Sequence, residues 1–327
     1  MTPDHQDAPA ADVTNAENAP ATGAGHTDIT RRSLIERLLP AAAGPYIRLA
    51  RLDRPIGTWL LLFPCWWSLV LASPVPQTVQ LWYALLFAIG AVVMRGAGCT
   101  INDILDRSID ARVERTRSRP LPSGEVTLAQ AIMFFAVQCL IGFVVLVQFN
   151  AQTITIGVSS LLLVVTYPLM KRITYWPQFF LGLTFNWGAL VGWVAMTGTL
   201  SWPPLVLYLG GIFWTLGYDT IYAHQDKQDD VVAGVKSLAL RLGENSAPWI
   251  AGFYIIAWVC WVFATIGVSG DHWLSALWLI PVAMHFFWQL QAWRQDDPAS
   301  GLAIFRSNRW VGWLALAGFG MAMSPPL

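Results

Sequence analysis

Long apolar stretches separated by short polar connections dominate the hydrophobic pattern from about residue 56 onward. An apolar run of about 17–25 residues can cross the hydrocarbon core of a bilayer as a helix. Nine such runs lie near 56–73, 81–101, 127–149, 152–170, 177–197, 203–222, 248–268, 273–293 and 309–323. The pattern predicts an all-α integral membrane protein with nine transmembrane helices. Thr127 and Gln130 have the spacing of a capping box at the start of the third run.

The basic residues test this count through their placement. Of the 20 Lys and Arg residues, all but Arg95 lie on alternate connections, and Arg95 lies inside the second run. Cytoplasmic connections carry the excess of Lys and Arg, so the side with these residues is predicted to be cytoplasmic. Nine spans then place the N-terminus in the cytoplasm and the C-terminus on the opposite side.

Composition adds to this picture. The chain is 55% hydrophobic and 12% charged, whereas soluble domains carry about 25% charged residues, which excludes a soluble globular enzyme. Equal numbers of basic and acidic residues, 20 of each, exclude a basic surface for nucleic acid.

Residues 1–30 have a different composition, with several acidic residues and no Lys or Arg. This predicts a disordered acidic tail ahead of one polytopic membrane domain at 31–327. The same composition differs from that of a mitochondrial transit peptide. It therefore favours the bacterial inner (cytoplasmic) membrane over the mitochondrial inner membrane.

Two acidic clusters lie at the membrane edge on the predicted cytoplasmic side, one after the second run and one ending the sixth. Residues 102, 106 and 110 share one helix face, and residues 219, 226 and 230 share another. Their corresponding positions suggest two related halves that face each other. Facing carboxylates repel unless cations lie between them, and oxygen ligands suit Mg²⁺. The candidate metal ligands are Asn102, Asp103, Asp106, Asp110, Asp219, Asp226 and Asp230. Solvated helix ends with ordinary interfacial charge are the alternative.

Basic side chains beside these clusters suit an anionic ligand, because guanidinium groups bind phosphate and carboxylate oxygens bidentately. Arg107, Lys171 and Arg172 lie next to an acidic cluster or a polar break, and Arg54 directly precedes the first run. For the outer arginines of 112–119, attraction to anionic lipid is a sufficient reason.

Two other classes of protein would also show some of these features. A cation-coupled transporter has many spans and intramembrane carboxylates, but its acids are expected near the bilayer midplane. Here all but Asp219 lie beyond the apolar runs. A non-catalytic lipid-binding scaffold gives no reason for two faces suited to metal.

The motifs closely resemble those of the UbiA-type intramembrane aromatic prenyltransferases. Asn102-x-x-x-Asp106-x-x-x-Asp110 looks like the first Asp-rich motif of that family, and Asp219-Thr-x-Tyr222-Ala223 with Asp226-x-x-Asp229-Asp230 looks like the second. The likeness continues through Arg51-Leu-Asp53-x-Pro55-Ile56-Gly57, Arg95-x-Ala97-Gly98-Cys99, Arg119-Pro-Leu-Pro-Ser-Gly124, Tyr167-Pro-x-Met170-Lys171-Arg172 and Gly234-x-Lys236-Ser237. It covers roughly residues 45–325 and is nearest to the 4-hydroxybenzoate polyprenyltransferases of ubiquinone synthesis.

The resemblance implies nine transmembrane helices around a central cavity with caps on the cytoplasmic side. It implies transfer of a polyprenyl group from a polyprenyl diphosphate to 4-hydroxybenzoate, ortho to the hydroxyl, with Mg²⁺ as cofactor. Asn102, Asp106 and Asp110 would then hold one Mg²⁺, and Asp226 with Asp230 the other. The nearest alternative is a member of the same family that uses another aromatic acceptor. The expected partners are the two substrates and the lipid bilayer, with no nucleic acid and no obligate protein partner.

The resemblance also implies roles for individual side chains. Lys171 and Arg107 are candidates to contact the diphosphate, and Arg172 to bind the acceptor's carboxylate. Tyr167 and Tyr222 are candidates to shelter a carbocation with their ring faces, although aromatic residues are also common at membrane interfaces. The predicted catalytic residues are Asp106, Asp226, Arg107, Lys171 and Tyr167, and the predicted substrate-binding residues are Arg54, Arg107, Lys171, Arg172 and Tyr222.

Overall fold

The computed structural model describes residues 34–72, 77–112, 116–227, 234–270 and 273–323. Across these ranges every regular element is helical. The predicted tail at 1–30 and the acidic residues Asp229 and Asp230 lie outside the described residues.

The chain begins this part with two short helices, α1 (Leu34–Leu38) and α2 (Gly44–Leu49). The remaining helices are α3 (Ile56–Leu71), α4 (Gln77–Leu105), α5 (Arg107–Asp110), α6 (Leu128–Leu146), α7 (Ala151–Ile173), α8 (Pro177–Asn186), α9 (Gly188–Thr197), α10 (Trp202–Ala223), α11 (Leu238–Leu242), α12 (Ser246–Val268), α13 (Ile280–Ala292) and α14 (Pro298–Met323). Short 3₁₀ segments lie at Ala41–Ala43, His224–Asp226, Gly243–Asn245 and Trp273–Leu279.

Each predicted apolar run coincides with helical structure. In the described ranges, six stretches are long and apolar enough to cross a membrane: Thr78–Leu105, Leu128–Leu146, Ala151–Ile173, Pro177–Thr197, Leu238–Val268 and Trp273–Ala292. The helices α3, α10 and α14 cover the other three runs but are not among these six. The all-helical, multi-pass membrane architecture is therefore confirmed, whereas nine crossings stay a prediction.

Both hydrogen bonds of the predicted capping box are present at the start of α6. Thr127 Oγ1 accepts a hydrogen bond from the Gln130 N–H at 3.3 Å, and Gln130 Oε1 accepts one from the Thr127 N–H at 2.9 Å. Asn150 caps α7 through a bond from the Thr153 N–H at 2.9 Å. The first N–H groups of a helix lack partners within the helix, so these caps define where both helices begin.

Tryptophan-rich packing joins the central helices. α10 packs against α8, α12 and α14, while α3 packs against α4, α9 and α14. Trp67, Trp214 and Trp261 are fully buried, and the Trp67 ring centroid lies 4.8 Å from that of Trp261 and 5.3 Å from that of Trp214. The Trp67 Nε1–H donates to the Gly312 carbonyl at 3.0 Å. By contrast, α6 and α7 expose many large apolar side chains, as expected for helices that face lipid.

Gly312 marks a close contact between α14 and α3 that can be tested. A Cβ at this position would overlap the ring of Phe63, whereas a Cβ at Gly320 on the same helix would have only Val70 Cγ1 near it, at 3.9 Å. Small residues allow this kind of close helix contact in membranes. We expect Gly312→Ala to destabilise the protein by about 1–3 kcal/mol through overpacking. The measurement is thermal unfolding in detergent, followed by tryptophan fluorescence.

Gly320→Ala is the matched control, since both substitutions make the same change within one helix. It should leave the unfolding temperature unchanged or raise it slightly, because Ala is a better helix former than Gly. An unfolding temperature for Gly312→Ala equal to that of Gly320→Ala would show that the contact is not tight.

Candidate functional site

The first acidic motif keeps the predicted register although α4 ends at Leu105. The Asp106 N–H donates to the Asn102 carbonyl at 2.9 Å, and the Asp110 N–H donates to the Asp106 carbonyl at 2.8 Å. The four-residue hydrogen-bond spacing of a helix therefore continues from α4 into α5. Asp106 and Asp110 are buried, and Asn102 is half-buried.

Cationic side chains lie against both buried carboxylates. Lys171 Nζ, from the last turn of α7, lies 3.2 Å from Asp106 Oδ2, and Arg172 Nη2 lies 3.5 Å from Asp106 Oδ1. Arg119 Nη1 donates to Asp110 Oδ2 at 2.8 Å. Burial raises the pKa of the Asp110 carboxyl and nearby Asp103 adds to this, while Arg119 opposes the shift. The motif is thus a crowded anionic site with cations at its edge.

Asp103 shares Arg119 with Asp110 and also binds a second cation, Arg51. Its Oδ1 and Oδ2 accept hydrogen bonds from Arg51 Nη2 at 2.8 and 3.0 Å, and Oδ1 also accepts one from Arg119 Nη1 at 3.2 Å. The Asp103 side chain is 1% exposed. Because Asp103 follows Asn102 directly, it projects from another face of α4. This placement supports a structural ion pair and gives no support to the predicted metal-ligand role of Asp103.

The sequence alone did not predict that Arg51 pairs with Asp103. It has a left-handed backbone conformation with φ 56°, which is uncommon for residues other than glycine. Its Nη1 donates to the Arg48 carbonyl at 2.7 Å, while its Nη2 binds Asp103. The guanidinium therefore fastens the turn between α2 and α3 to α4. Arg51 stood in a motif that carried the family resemblance, but hydrophobic periodicity contains no signal for this conformation or its partner.

The second acidic motif is only partly within the described residues. Asp219 lies near the end of α10 and is half-buried, and Asp226 ends the 3₁₀ segment His224–Asp226. The side chain of Asp226 and all of Asp230 lie outside the described part. The predicted facing of the two sets of carboxylates therefore involves side chains outside the described part of the chain.

The C-terminal end of α7 contacts both the first motif and the segment that follows the second motif. The Lys236 N–H, from the segment after the second motif, donates to the Lys171 carbonyl at 2.8 Å. Lys236 Nζ donates to the Ile173 carbonyl at 3.0 Å. Lys171 thus binds the first motif through its side chain and the segment after the second motif through its backbone. Both regions lie at the same end of the helix bundle.

The described residues alone form no group of three or more His, Cys, Asp or Glu side chains that could hold a metal ion. The first motif does offer oxygen atoms from Asp106, Asp110 and Asn102, which is the donor chemistry that Mg²⁺ prefers. Two carboxylates and an amide are an incomplete set, and bound Mg²⁺ commonly completes its shell with water and substrate phosphate. The residues present therefore fit a Mg²⁺ ion that is shared with a phosphorylated ligand.

The other predicted ligand-binding residues have mixed placements. Arg54 Nε pairs with Asp53 Oδ2 at 3.1 Å, and Arg107 is exposed, with no ion pair to a described residue. Tyr167 interacts electrostatically with Asp219 and Arg95. The Tyr222 ring packs against Phe305 with a centroid distance of 4.4 Å. The structure thus brings Lys171 and Arg172 to Asp106 and Tyr167 near Asp219, whereas the Arg107 side chain pairs with none of the described carboxylates.

Comparison with protein families and named proteins gives a consistent result. A family model described as the UbiA prenyltransferase family matches residues 61–320. The chain is 47% identical to a human protein named 4-hydroxybenzoate polyprenyltransferase, mitochondrial, over 85% of this chain and 75% of that protein. It is 46% identical to a protein of the same name from Arabidopsis thaliana, over 90% of this chain and 73% of the relative.

Solved structures of other proteins resemble the fold of this chain. The apo structure of a UbiA homolog from Aeropyrum pernix K1 matches with a TM-score of 0.67 at 25% identity, covering 80% of this chain and 96% of that one. A UbiA homolog from Archaeoglobus fulgidus, bound to GPP and Mg²⁺, matches with a TM-score of 0.62 at 16% identity, covering 86% of this chain and 100% of the other.

Proposed function

Since this chain belongs to the UbiA prenyltransferase family, we propose that the bundle end where α4, α7 and α10 terminate is its prenyl-transfer site. The enzyme transfers a polyprenyl group from a polyprenyl diphosphate to 4-hydroxybenzoate, a membrane step of ubiquinone biosynthesis. The observation that carries the site assignment is the contact of Lys171 and Arg172 with Asp106. These three residues combine phosphate-binding cations with a metal-binding carboxylate.

The reaction defines what these residues must do. The allylic C–O bond of the donor breaks and its electron pair leaves with the diphosphate. A C–C bond forms at the ring carbon ortho to the phenol hydroxyl, and loss of the ring proton restores aromaticity. Negative charge therefore grows on the leaving diphosphate, and preorganised cations at that point lower the barrier. Lys171 and Arg172 supply such cations and bind the diphosphate oxygens.

Mg²⁺ belongs to this proposal: Asn102, Asp106 and Asp110 would hold one ion, and Asp226 with Asp230 would hold a second. When bound, Mg²⁺ supplies charge neutralisation of the diphosphate. Asp219 remains a predicted member of the second set, whereas Asp103 is assigned to its ion pairs with Arg51 and Arg119. Arg107 is a weaker candidate for diphosphate contact than Lys171, because its side chain is exposed and makes no ion pair with a carboxylate that the structure describes.

Tyr167 is proposed to face the reacting carbon. It interacts electrostatically with Asp219 and Arg95, and it lies one helical turn before Lys171 on α7. An aromatic ring face stabilises a nearby cation, which fits an allylic carbocation. Tyr222, packed against Phe305, has the same chemistry from α10.

We also propose nine membrane crossings with the site at the cytoplasmic edge. α3, α10 and α14 would add three crossings to the six apolar stretches. The orientation follows from the Lys and Arg residues, which all lie on alternate connections except Arg95. The named relatives are mitochondrial proteins, so the prediction of a bacterial inner membrane has no support from them. The mitochondrial inner membrane is the competing assignment.

The direct test uses membranes that contain this protein, 4-hydroxybenzoate and a polyprenyl diphosphate, with mass spectrometry of the products. We expect the prenylated acid only when Mg²⁺ is present, and loss of product on chelation with EDTA, because the diphosphate is otherwise not neutralised. Membranes without the protein are the control. Asp226→Ala should also abolish product if the second motif contributes ligands.

Two outcomes would change the proposal. Product with another aromatic acceptor, but not with 4-hydroxybenzoate, would assign the chain to a different branch of the family. No product from any acceptor, with the protein folded, would remove the enzymatic assignment and leave the transporter as the remaining alternative.

A further inference from the structure

His224 connects the second acidic motif to two neighbouring connections of the bundle. It follows α10 directly and begins the 3₁₀ segment His224–Asp226. Its Nε2 lies 2.9 Å from Oγ of Ser246, the first residue of α12. Its ring packs across that of Trp293, just after α13, with 5.2 Å between the centroids and 67° between the planes. Residues of two other elements therefore hold the imidazole at the end of the bundle that carries the second motif.

The hydrogen bonds around Ser246 define which group donates. Ser246 Oγ donates to the Gly243 carbonyl at 2.8 Å, and a serine hydroxyl has one hydrogen to donate. The same oxygen therefore accepts the bond from His224, so Nε2 of His224 carries a hydrogen. An imidazole nitrogen that carries a hydrogen is a donor and has no lone pair for a metal ion. His224 thus acts through Nε2 as a donor and not as a metal ligand.

The Gly243 carbonyl is a fixed end point for this chain of bonds. It accepts a second hydrogen bond, from Gln295 Nε2 at 2.7 Å, which uses both lone pairs of the oxygen. Gly243 has φ 54° and ψ −128°, a conformation that glycine adopts without steric strain. Ser246 is fully buried, so water does not compete for its hydroxyl. His224 therefore binds a hydroxyl whose orientation is already determined.

His224 lies in the chain between acids of the second motif. It comes five residues after Asp219 and two before Asp226, and the 3₁₀ segment that it begins ends at Asp226. Residues that support a metal site from outside its ligand set fix the geometry of the ligands, and their loss commonly lowers metal affinity or activity by about 10–100-fold. A bond that fixes this segment is therefore expected to affect metal binding.

Resting on the proposed function, we propose that His224 is a positioning residue for the metal-binding part of the second motif. Its bond to Ser246 fixes the turn at which α10 ends, and with it the backbone that carries Asp226. His224 does this without contact to the metal ion or the substrates. Ser246 is the partner through which it acts, so changes at either residue should raise the Mg²⁺ requirement of the reaction.

The experiment compares His224→Leu with His224→Gln in the full chain. Leucine removes the donor, whereas the glutamine amide has N–H donors of its own and keeps a bond to Ser246. For His224→Leu we expect the Mg²⁺ concentration at half-maximal product formation to rise about 10-fold. The KM for 4-hydroxybenzoate should stay within about 3-fold, because binding of the acceptor is not changed. His224→Gln should restore the Mg²⁺ requirement to within about 3-fold of that of the unmodified enzyme.

A second readout measures metal binding without turnover. Mg²⁺ and the polyprenyl diphosphate, added without acceptor, should raise the unfolding temperature in detergent, because a ligand that binds only the folded state stabilises it. His224→Leu should need about 10-fold more Mg²⁺ for the same rise. His224→Gln should show the rise at nearly the normal Mg²⁺ concentration.

Ser246→Ala tests the same bond from its acceptor side. We expect the Mg²⁺ requirement to rise by a similar factor in both readouts. The double variant with His224→Leu should lose no more than either single variant, because both changes remove the same bond. If His224→Leu does not fold, Ser246→Ala decides the proposal through the same two measurements.

His285→Leu is the matched control, since it makes the same change at another half-buried histidine. His285 lies within α13, eight residues before Trp293, which is about 12 Å along a helix. This variant should keep a normal Mg²⁺ requirement, whatever its effect on the unfolding temperature.

Two results would overturn the inference. One is a normal Mg²⁺ requirement in folded His224→Leu or Ser246→Ala. The other is an equally raised requirement in His224→Gln and His224→Leu with a normal one in Ser246→Ala, which would make the imidazole itself a ligand. Failure of the unmodified enzyme with every acceptor, or product formation independent of Mg²⁺, would instead contradict the proposed function, so the two failures are distinguishable.

Discussion

Asp106→Asn is expected to lower kcat for prenyl transfer by about 10³-fold, equivalent to ~4 kcal/mol in the activation free energy. The substitution keeps the shape of the side chain but removes the charge that holds Lys171 and Arg172 at the motif. It also removes a proposed Mg²⁺ ligand, and neutral amides bind this hard cation less well than carboxylates. The measurement is the rate of product formation at saturating substrates, as a function of Mg²⁺ concentration.

The Mg²⁺ series separates loss of the site from loss of the fold. We expect the variant to need a higher Mg²⁺ concentration for its residual activity and to unfold within a few degrees of the unmodified protein. Glu244→Gln makes the same acid-to-amide change at an exposed position and should retain full activity. More than a tenth of the normal kcat in Asp106→Asn, with an unchanged Mg²⁺ requirement, would remove Asp106 from the metal site.

Local periodicity explains which parts of this site could be predicted from sequence. The spacing of Asn102, Asp106 and Asp110 needs only a helix that continues past its apolar run, and the backbone bonds at 2.9 and 2.8 Å show that it does. The capping box at Thr127 is likewise a matter of residues three positions apart. Short-range regularities of this kind do not depend on the tertiary arrangement.

Tertiary partners could not be predicted in the same way. Asp103 and Asp106 have the same chemistry in sequence, yet one pairs with Arg51 and the other with Lys171, which lies 65 positions away. The run at 177–197 reads as one continuous span, but it divides at Trp187 between α8 and α9. Asn186 and Gly188 flank this break, but an isolated glycine inside an apolar run is also tolerated within a helix, so the hydrophobic pattern alone does not predict it.

The second large effect is expected from Asp103→Ala, and it is an effect on stability. Arg51 and Arg119 both donate to this nearly inaccessible carboxylate. Removing one partner of a buried ion pair leaves an uncompensated charge, which typically costs about 3–5 kcal/mol. Since Arg51 and Arg119 are partly exposed, we expect about 3 kcal/mol here. Thermal unfolding in detergent should show a decrease of several degrees.

A double-mutant cycle identifies the contact that is responsible. Arg51→Ala should also destabilise the protein, and the double variant with Asp103→Ala should lose less than the sum, because both changes remove the same pair. The folded fraction of Asp103→Ala should keep a normal Mg²⁺ requirement, since the Asp103 carboxylate binds Arg51 and Arg119, and Arg119 keeps its hydrogen bond to Asp110 in the variant. A normal unfolding temperature with a raised Mg²⁺ requirement would instead make Asp103 a metal ligand. Measuring both unfolding temperature and Mg²⁺ requirement therefore distinguishes a structural role for Asp103 from the catalytic role proposed for Asp106.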